Sequence, residues 1–425
     1  MDPDRRPAPT DPRMRGFRAR WTVGDLVEAI DARVSSLGDE TVALGDCAGR
    51  VLAVDIVASV DIPHFDRAAM DGYALRGEET FGSDAANPAL FRLVGRARPG
   101  RMHAGCVGEG EGVEVATGAP MPTGADAVAP VETASLSGDR IEVVEPVPPG
   151  RHVGRRGEDV CRGDRVFTSG RVLRPQDLGM LSALGLGAVR ATRRPVVVII
   201  ITGDELLPAG TPGIGHRIGD MNSVMLAAMA ARDGGRPRVV GPLPDDRDRL
   251  RAALVEASQS ADLILVSGGS STGPEDHAPS LLAELGTVLA HGVALRPASP
   301  SGFGLIGTTP VVLLPGNPVS CLCAYDFFGG RAIRRLGGRP SGWAYRSTMM
   351  RLAAKVASAL GRVDYVRVRI AEGGIVPVAA GGASILSSVT KADGFVVVPA
   401  DSEGYQAGIY IELWFYDNVV DFPML

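Results

Sequence analysis

The sequence predicts a multidomain α/β plus β protein, and three observations carry that expectation. The chain has 425 residues, too many for one ordinary core at roughly 100–200 residues per domain. Residues 194–338 alternate unbroken apolar runs with helical stretches, the pattern of a doubly wound sheet whose parallel strands are buried on both faces. Residues 61–147 and the stretch after 338 are short strand-like runs punctuated by Gly and Pro.

Taken in order, residues 21–36 place Val23, Leu26, Ala29, Ile30 and Val34 at helical spacing, with Thr22 positioned to cap them. Alternation over 51–62 reads as strand. Residues 148–193 return through a strand and a turn to a helix beginning near Pro175. Segments 17–60 and 148–193 therefore form one discontinuous domain, with a β-rich domain, 61–147, inserted in it. In the 194–338 domain, residues 196–201 are a β-branched strand and 223–233 a helix. A short strand at 238–241, a helix at 246–258 and a strand at 262–266 follow. A short helix spans 281–285, strands lie at 293–295 and 311–314, and a long helix covers 319–336. Residues 339–425 form a terminal β module.

Composition narrows the function. An apolar fraction of 45% and a charged fraction of 22% describe a packed globular protein. A net charge of −5 argues against a nucleic-acid surface. No apolar run reaches the roughly 18–20 residues that span a bilayer, so no membrane association is expected. The first 20 residues, rich in Arg, Asp and Pro, read as a disordered arm without a secretory signal. Five scattered cysteines without a C-x-x-C pair imply reduced thiols and a cytoplasmic location. Lysine occurs only at Lys355 and Lys391.

In open parallel sheets, ligands sit beyond the carboxyl ends of the strands. Three such ends carry polar loops here: Thr202-Gly203-Asp204-Glu205, then Ser267-Gly268-Gly269-Ser270 continuing to Asp276, and Pro315-Gly316-Asn317-Pro318 running into a helix. Glycines let backbone amides approach a phosphate, and hydroxyls donate to it. Carboxylates beside a phosphate repel it unless a divalent cation bridges them, so the combination suggests phosphate with Mg²⁺. Each loop alone could be a plain turn, Asn317-Pro318 could simply start a helix, and His277 reads as a loop residue. Either Asp245 or Asp246 caps the helix that follows.

Together the motifs say more. Residues 66–74, with Ala69-Met70-Asp71-Gly72-Tyr73-Ala74 at their end, resemble the SAMDGYA signature of the MoeA and gephyrin E-domain family, the molybdopterin molybdenumtransferases. Thr117-Gly118-Ala119-Pro120, Gly124-Ala125-Asp126-Ala127-Val128 with Glu132, and Arg156-Gly157-Glu158-Asp159 are similar to its next motifs. Thr202-Gly203-Asp204-Glu205-Leu206, Asp220-Met221-Asn222-Ser223, Ser267-Gly268-Gly269 and Leu314-Pro315-Gly316-Asn317-Pro318 follow in the family's order. The resemblance implies an elongated discontinuous domain, an inserted β-rich domain, a molybdopterin-binding α/β domain and a C-terminal β-barrel domain. It implies a homodimer whose site unites the α/β domain of one chain with the inserted domain of the other. The reaction it implies takes adenylylated molybdopterin and molybdate, inserts the metal, and releases AMP with Mg²⁺ assisting. A molybdopterin adenylyltransferase and recipient molybdoenzymes would be partners. Carried over by motif, Asp71, Thr117, Glu205, Asp245 and Asp276 are catalytic, the last three also holding metal. Asp159, Thr202, Gly203, Ser267, Gly268, Gly269, Ser270, Arg296, Pro315, Gly316, Asn317 and Pro318 would bind substrate.

The chain departs from the family where lysines are expected. The family's KPGKP reads Arg296-Pro297-Ala298-Ser299-Pro300 here, so Arg296 keeps the first charge and Ser299 loses the second. Gly292 replaces a further lysine. From its position after an apolar strand, Arg296 is expected at the ligand edge of the α/β sheet. Two other readings remain: a non-catalytic molybdopterin-binding scaffold, and the adenylyltransferase step, which leaves Asp71 and Thr117 unexplained.

Overall fold

The computed structural model describes residues 20–271, 273, 276–378 and 382–416. The expected N-terminal arm, parts of the 270–279 loop and the last residues of the terminal module lie outside them. The chain divides into two compact units. One comprises Met1–Thr41, Gly49–Val51 and Arg190–Leu425, the other Val42–Ala48 and Leu52–Val189.

The first unit is organised by a six-stranded sheet. Arg236–Leu243, Val196–Thr202, Leu263–Ser267 and Thr309–Leu314 lie side by side in parallel. Continuous burial along the three inner strands explains their unbroken apolar runs. Two antiparallel strands, Gly302–Ile306 and Thr287–His291, extend the far edge. Sequence reasoning missed both, the first because glycine weakens a strand pattern. Gly304 is there for close approach: a Cβ on it would stand 2.2 Å from the Thr287 carbonyl oxygen. The expected strand at 293–295 is instead Leu295–Arg296, which pairs with Val363–Asp364 in the C-terminal sheet. The long helix appears as Pro318–Ala324 and Gly330–Leu336, joined through a π-helical turn at Tyr325–Gly329.

Helix Val23–Arg33 is capped by Thr22, whose Oγ1 accepts from the Asp25 amide at 3.0 Å. Its Leu26 and Ile30 are fully buried in the core that holds Val197, Phe328 and Ile333. Arg331 Nε donates to Asp31 at 2.7 Å. Through these contacts the helix packs on the α/β core. The same core reaches into the C-terminal module through Tyr365 and Phe395, with Trp343, Trp414 and Tyr416 packed on it. That module is a mostly antiparallel sheet, in the order Leu295–Arg296, Val363–Ala371, Gly394–Val398, Tyr410–Phe415, Ser347–Arg351.

The second unit holds another six-stranded sheet, in the order Ala127–Pro130, Gly72–Leu75, Glu111–Val115, Ala89–Ala97, Arg140–Val143, Ala134–Ser137. Gly72–Leu75 is buried on both faces, Ala74 in one apolar cluster and Tyr73 and Leu75 in another. The strand expected over 51–62 shrinks to Ile56–Val57, which pairs with Arg165–Phe167.

Candidate functional site

Within the second unit, three separate sequence motifs meet around Arg67–Ala68. This short strand pairs with Val153–Gly154. The Ala68 amide donates to the Ala119 carbonyl at 2.8 Å and the Gly118 amide to the Ala68 carbonyl at 2.8 Å. The Ala69 amide donates to the His152 carbonyl at 2.9 Å, and Arg67 pairs with Glu158 at 3.1 Å. Asp71 and Thr117 flank adjacent antiparallel strands, in which Gly72 lies opposite Val115. Both are exposed, and Asp71 Oδ1 accepts from the Thr117 amide at 2.7 Å and from Thr117 Oγ1 at 2.9 Å. Asp159 is exposed on the same unit; its amide donates to the Ile62 carbonyl at 3.1 Å.

The Thr117 amide, then its hydroxyl, holds the Asp71 carboxyl below its ordinary range, with Arg98 assisting. A depressed carboxyl stabilises the fold above its unfolded value, and that contribution fades as pH falls through the folded value, so the effect belongs to acid conditions. Thr117→Val removes the hydroxyl but keeps the amide donor. It is expected to move the Asp71 pKa part of the way back up, as read by carboxyl NMR. An unchanged value would show that the hydroxyl bond does not form in solution.

In the first unit, the strand-end loops expected to bind ligand do gather at one end of the parallel strands. Thr202 Oγ1, buried, donates to Asp245 Oδ1 at 2.8 Å. Asp245 and Asp204 bracket each other: the Asp204 amide donates to Asp245 Oδ2 at 3.2 Å and the Asp245 amide to Asp204 Oδ1 at 3.1 Å. Asp246 is the helix cap, accepting from the Arg249 amide at 2.8 Å, which leaves Asp245 to the loop. Exposed Glu205 folds back on its own loop, its Oε2 2.7 Å from where a Cβ on Gly203 would stand. Gly268 has φ +101°, and a Cβ on it would stand 2.1 Å from the Thr202 carbonyl oxygen, so only glycine lets these two loops approach. Ser270 Oγ donates to the Leu314 carbonyl at 3.0 Å, tying the second loop to the third strand end. Pro315 is buried at that end, Gly316 and Asn317 are exposed, and Pro318 opens the helix.

Asn222, quoted above in a motif but given no site role there, joins the second and third loops. Its Nδ2 donates to Ser267 Oγ at 3.0 Å and to the Gly316 carbonyl at 2.7 Å. Asp220 starts that helix, accepting from the Asn222 and Ser223 amides at 2.9 and 3.1 Å. A buried Asp-x-Asn-Ser at a helix start was the available signal. His291, pressed below its ordinary pKa by burial, bonds through Nε2 to the Ser270 carbonyl at 2.8 Å and so supports the second loop.

Two expectations are changed by the geometry. Asp276 Oδ2 accepts from the Gly273 amide at 2.6 Å within its own loop. Among the described residues, no group of three or more His, Cys, Asp or Glu side chains is placed to hold a metal ion. Glu205, Asp245 and Asp276 thus do not form a cage by themselves. Arg296, expected at the ligand edge, forms an ion pair with Asp364, a carboxylate that is 1% exposed. Its strand left the α/β sheet, and its charge is met by the C-terminal module. Ser299 Oγ, at the second lysine position, is buried without a hydrogen-bond partner among the described residues.

The loops and motifs just described have counterparts in known proteins. The chain matches the MoeA N-terminal region (domain I and II) over residues 21–185, a probable molybdopterin binding domain over 198–335, and the MoeA C-terminal region (domain IV) over 350–416. It is 34% identical over 384 residues to molybdopterin molybdenumtransferase 2 of Mycobacterium tuberculosis, covering 88% of this chain and 94% of that one. The chain belongs to the MoeA family of molybdopterin molybdenumtransferases. A putative molybdopterin biosynthesis protein of Methanocaldococcus jannaschii is 32% identical over 378 residues, 87% of this chain and 90% of its own. The crystal structure of a molybdopterin biosynthesis MoeA protein from Pyrococcus horikoshii superposes with a TM-score of 0.81 at 32% identity, covering 94% of this chain and 100% of that one. In MoeA terms, the Asp71–Thr117 pair lies in the N-terminal region, and the Thr202–Asp245 and Ser267–Asn222–Gly316 contacts lie in the molybdopterin-binding domain. No helix among the described residues is long and apolar enough to cross a membrane.

Proposed function

We propose that this transferase of molybdenum cofactor biosynthesis inserts molybdenum from molybdate into adenylylated molybdopterin and releases AMP, acting as a cytoplasmic homodimer of chains with four parts each. The observation that supports this reading best is the convergence of three polar strand-end loops, the second and third cross-tied by Asn222, in the domain that matches a probable molybdopterin binding domain. Loops fixed in this way hold amides and hydroxyls ready for a phosphorylated pterin with little reorganisation. Ser267, Gly268, Gly269, Ser270, Pro315, Gly316, Asn317 and Pro318 bind the substrate in this reading, with Thr202, Gly203 and Asp159. Thr202 and the Asp204 amide together fix the orientation of the Asp245 carboxylate.

Asp71, Thr117, Glu205, Asp245 and Asp276 are the catalytic group. Magnesium ordinarily takes one or two carboxylates together with substrate phosphates. A protein-only cage is absent among the described residues, and no metal-dependent step is assigned to these side chains. The deciding experiment incubates the full chain with adenylylated molybdopterin and molybdate and measures both AMP release and reconstitution of an apo-molybdoenzyme. Both products are expected. Tight binding of the nucleotide-pterin without either product would overturn the catalytic reading in favour of a scaffold.

A further inference from the structure

At the opposite end of the same sheet lies a cleft that the proposed reaction does not use. Its enclosed part holds only about 10 Å³, below an open mouth lined by Arg50, Arg193, Arg194 and Arg339 together with Gly49 and Gly234. The last two arginines bracket the amino ends of paired strands. Arg194 stands two residues before Val196–Thr202, and Gly234, against which Arg339 lies, stands two before Arg236–Leu243. Val196 and Arg236 are neighbours in register. The candidate loops follow the other end of Val196–Thr202, which at about 3.3 Å per residue puts roughly 20 Å between cleft and loops.

The charges in the cleft do not balance. Arg193 is matched by a forked pair with Asp262 at 2.9 and 2.7 Å, and Arg50 by Glu40 at 2.6 Å. Arg339 donates only to carbonyls, of Gly49 at 2.5 Å and Arg232 at 3.4 Å. Arg194 is exposed, and neither it nor Arg339 has a carboxylate partner among the described residues. The carboxylate of Asp233 also acts on Arg339 but is already shared by Arg232 and Arg334. Arg50 is 8% exposed, and its Nε is buried without a hydrogen-bond partner. Two guanidinium charges are thus left over at one small opening. Burial lowers the Arg339 pKa; Asp233 opposes that, while Arg194 and Arg334 add to it. An arriving anion would relieve this repulsion, and guanidinium forks match the edges of a tetrahedral oxyanion.

We propose that the mouth of this cleft binds a small tetrahedral dianion, with the charge and shape shared by phosphate, sulfate and molybdate, held between Arg194 and Arg339. Bound there, the anion clamps the starts of two core strands and makes the protein's stability respond to free oxyanion. The inference stands apart from the catalytic reading, since no residue of the cleft belongs to the candidate site.

The test titrates the full-length protein with inorganic phosphate, sulfate and molybdate at constant ionic strength set by chloride. Calorimetric binding and thermal unfolding are read for wild type, Arg194→Lys, Arg194→Gln and Arg339→Gln. The wild type is expected to gain thermal stability with oxyanion and not with chloride. Arg194→Gln should weaken binding about tenfold or more, and Arg194→Lys less, since each charge-assisted bond lost is worth about 1.5–3 kcal/mol. Arg339 also holds the Gly49 carbonyl, so if Arg339→Gln does not fold, the exposed Arg194 pair decides alone. An anomalous molybdenum signal from molybdate-soaked crystals locates the anion, separating the cleft from the strand-end loops. Binding to molybdate alone would mark the site as a sensor of the metal oxyanion; equal binding of all three would make it a general phosphate-class site. Identical titrations for wild type and Arg194→Gln, or molybdenum found only at the strand-end loops, would overturn the proposal.

Discussion

Replacing Arg232 with alanine is expected to destabilise the protein by about 3–5 kcal/mol, the usual cost of stranding a buried charge. Arg232 ends its helix 3.1 Å from Asp233 and 3.7 Å from Asp326, whose side chains are 0% and 1% exposed. Its guanidinium also lies over the Tyr345 ring, 4.6 Å from the centroid. Asp233 keeps Arg334 at 3.1 Å, but Asp326 is left with the hydroxyls of Tyr345 and Tyr365 at 2.9 and 3.0 Å, which do not neutralise a carboxylate. The loss should depend on pH. Burial pushes Asp326 up to about 6, against the pull of Arg232. A carboxyl raised in the folded state favours folding below its unfolded value, and that contribution is lost as pH rises through the folded value. Without Arg232 the folded value climbs further, so the deficit should be larger at about pH 8 than at about pH 5. Urea unfolding of both proteins at the two pH values checks this, and a deficit independent of pH would leave only lost packing as the cause.

Glu205→Gln and Asp276→Asn are each expected to cut molybdenum transfer by at least about 100-fold, while changing stability by less than about 1 kcal/mol. Glu205 is exposed, and Asp276 is only partly buried. The hydrogen bond that Asp276 accepts from Gly273 survives in an asparagine through its amide oxygen. What these changes remove is charge at a loop whose shape stays the same. Transfer rates and melting curves, measured side by side, separate the two roles. Full activity in both variants would remove these residues from the catalytic group, and a drop in melting temperature like that of a core truncation would assign them to the scaffold.

The parallel strands were legible because burial on both faces leaves a plain signature, as in Val196–Thr202. Caps were legible to within one residue: Asp246 rather than Asp245 took the helix start, because only the geometry shows which carboxylate reaches back to Arg249. The antiparallel strand Gly302–Ile306 was hidden by Gly302 and Gly304, chosen for close approach rather than for strand preference. Arg296 was misplaced because position along the chain does not say which sheet a short strand joins. The ion network of Arg232, Asp233, Asp326 and Arg334 left no periodic trace, since its members come from separate helices. At the candidate site the motifs named loops that lie together at one end of the parallel strands, whereas the cross-tie through Asn222 needed three-dimensional neighbours to be seen.

Strand Arg236–Leu243 stands at one border of the α/β sheet, and two of its eight residues, Pro237 and Pro242, carry no amide hydrogen, while Arg236 and Arg238 are exposed beside them. Such a border refuses a visiting strand: the ladder it offers is broken, and charged arms stand in the approach. Copies of the chain crowded together therefore cannot zip into continuous ribbons along this side. Association has to proceed by side-chain fit at other surfaces, a mode that can be undone, and the buried apolar ladder behind this border stays out of reach of amyloid-like growth.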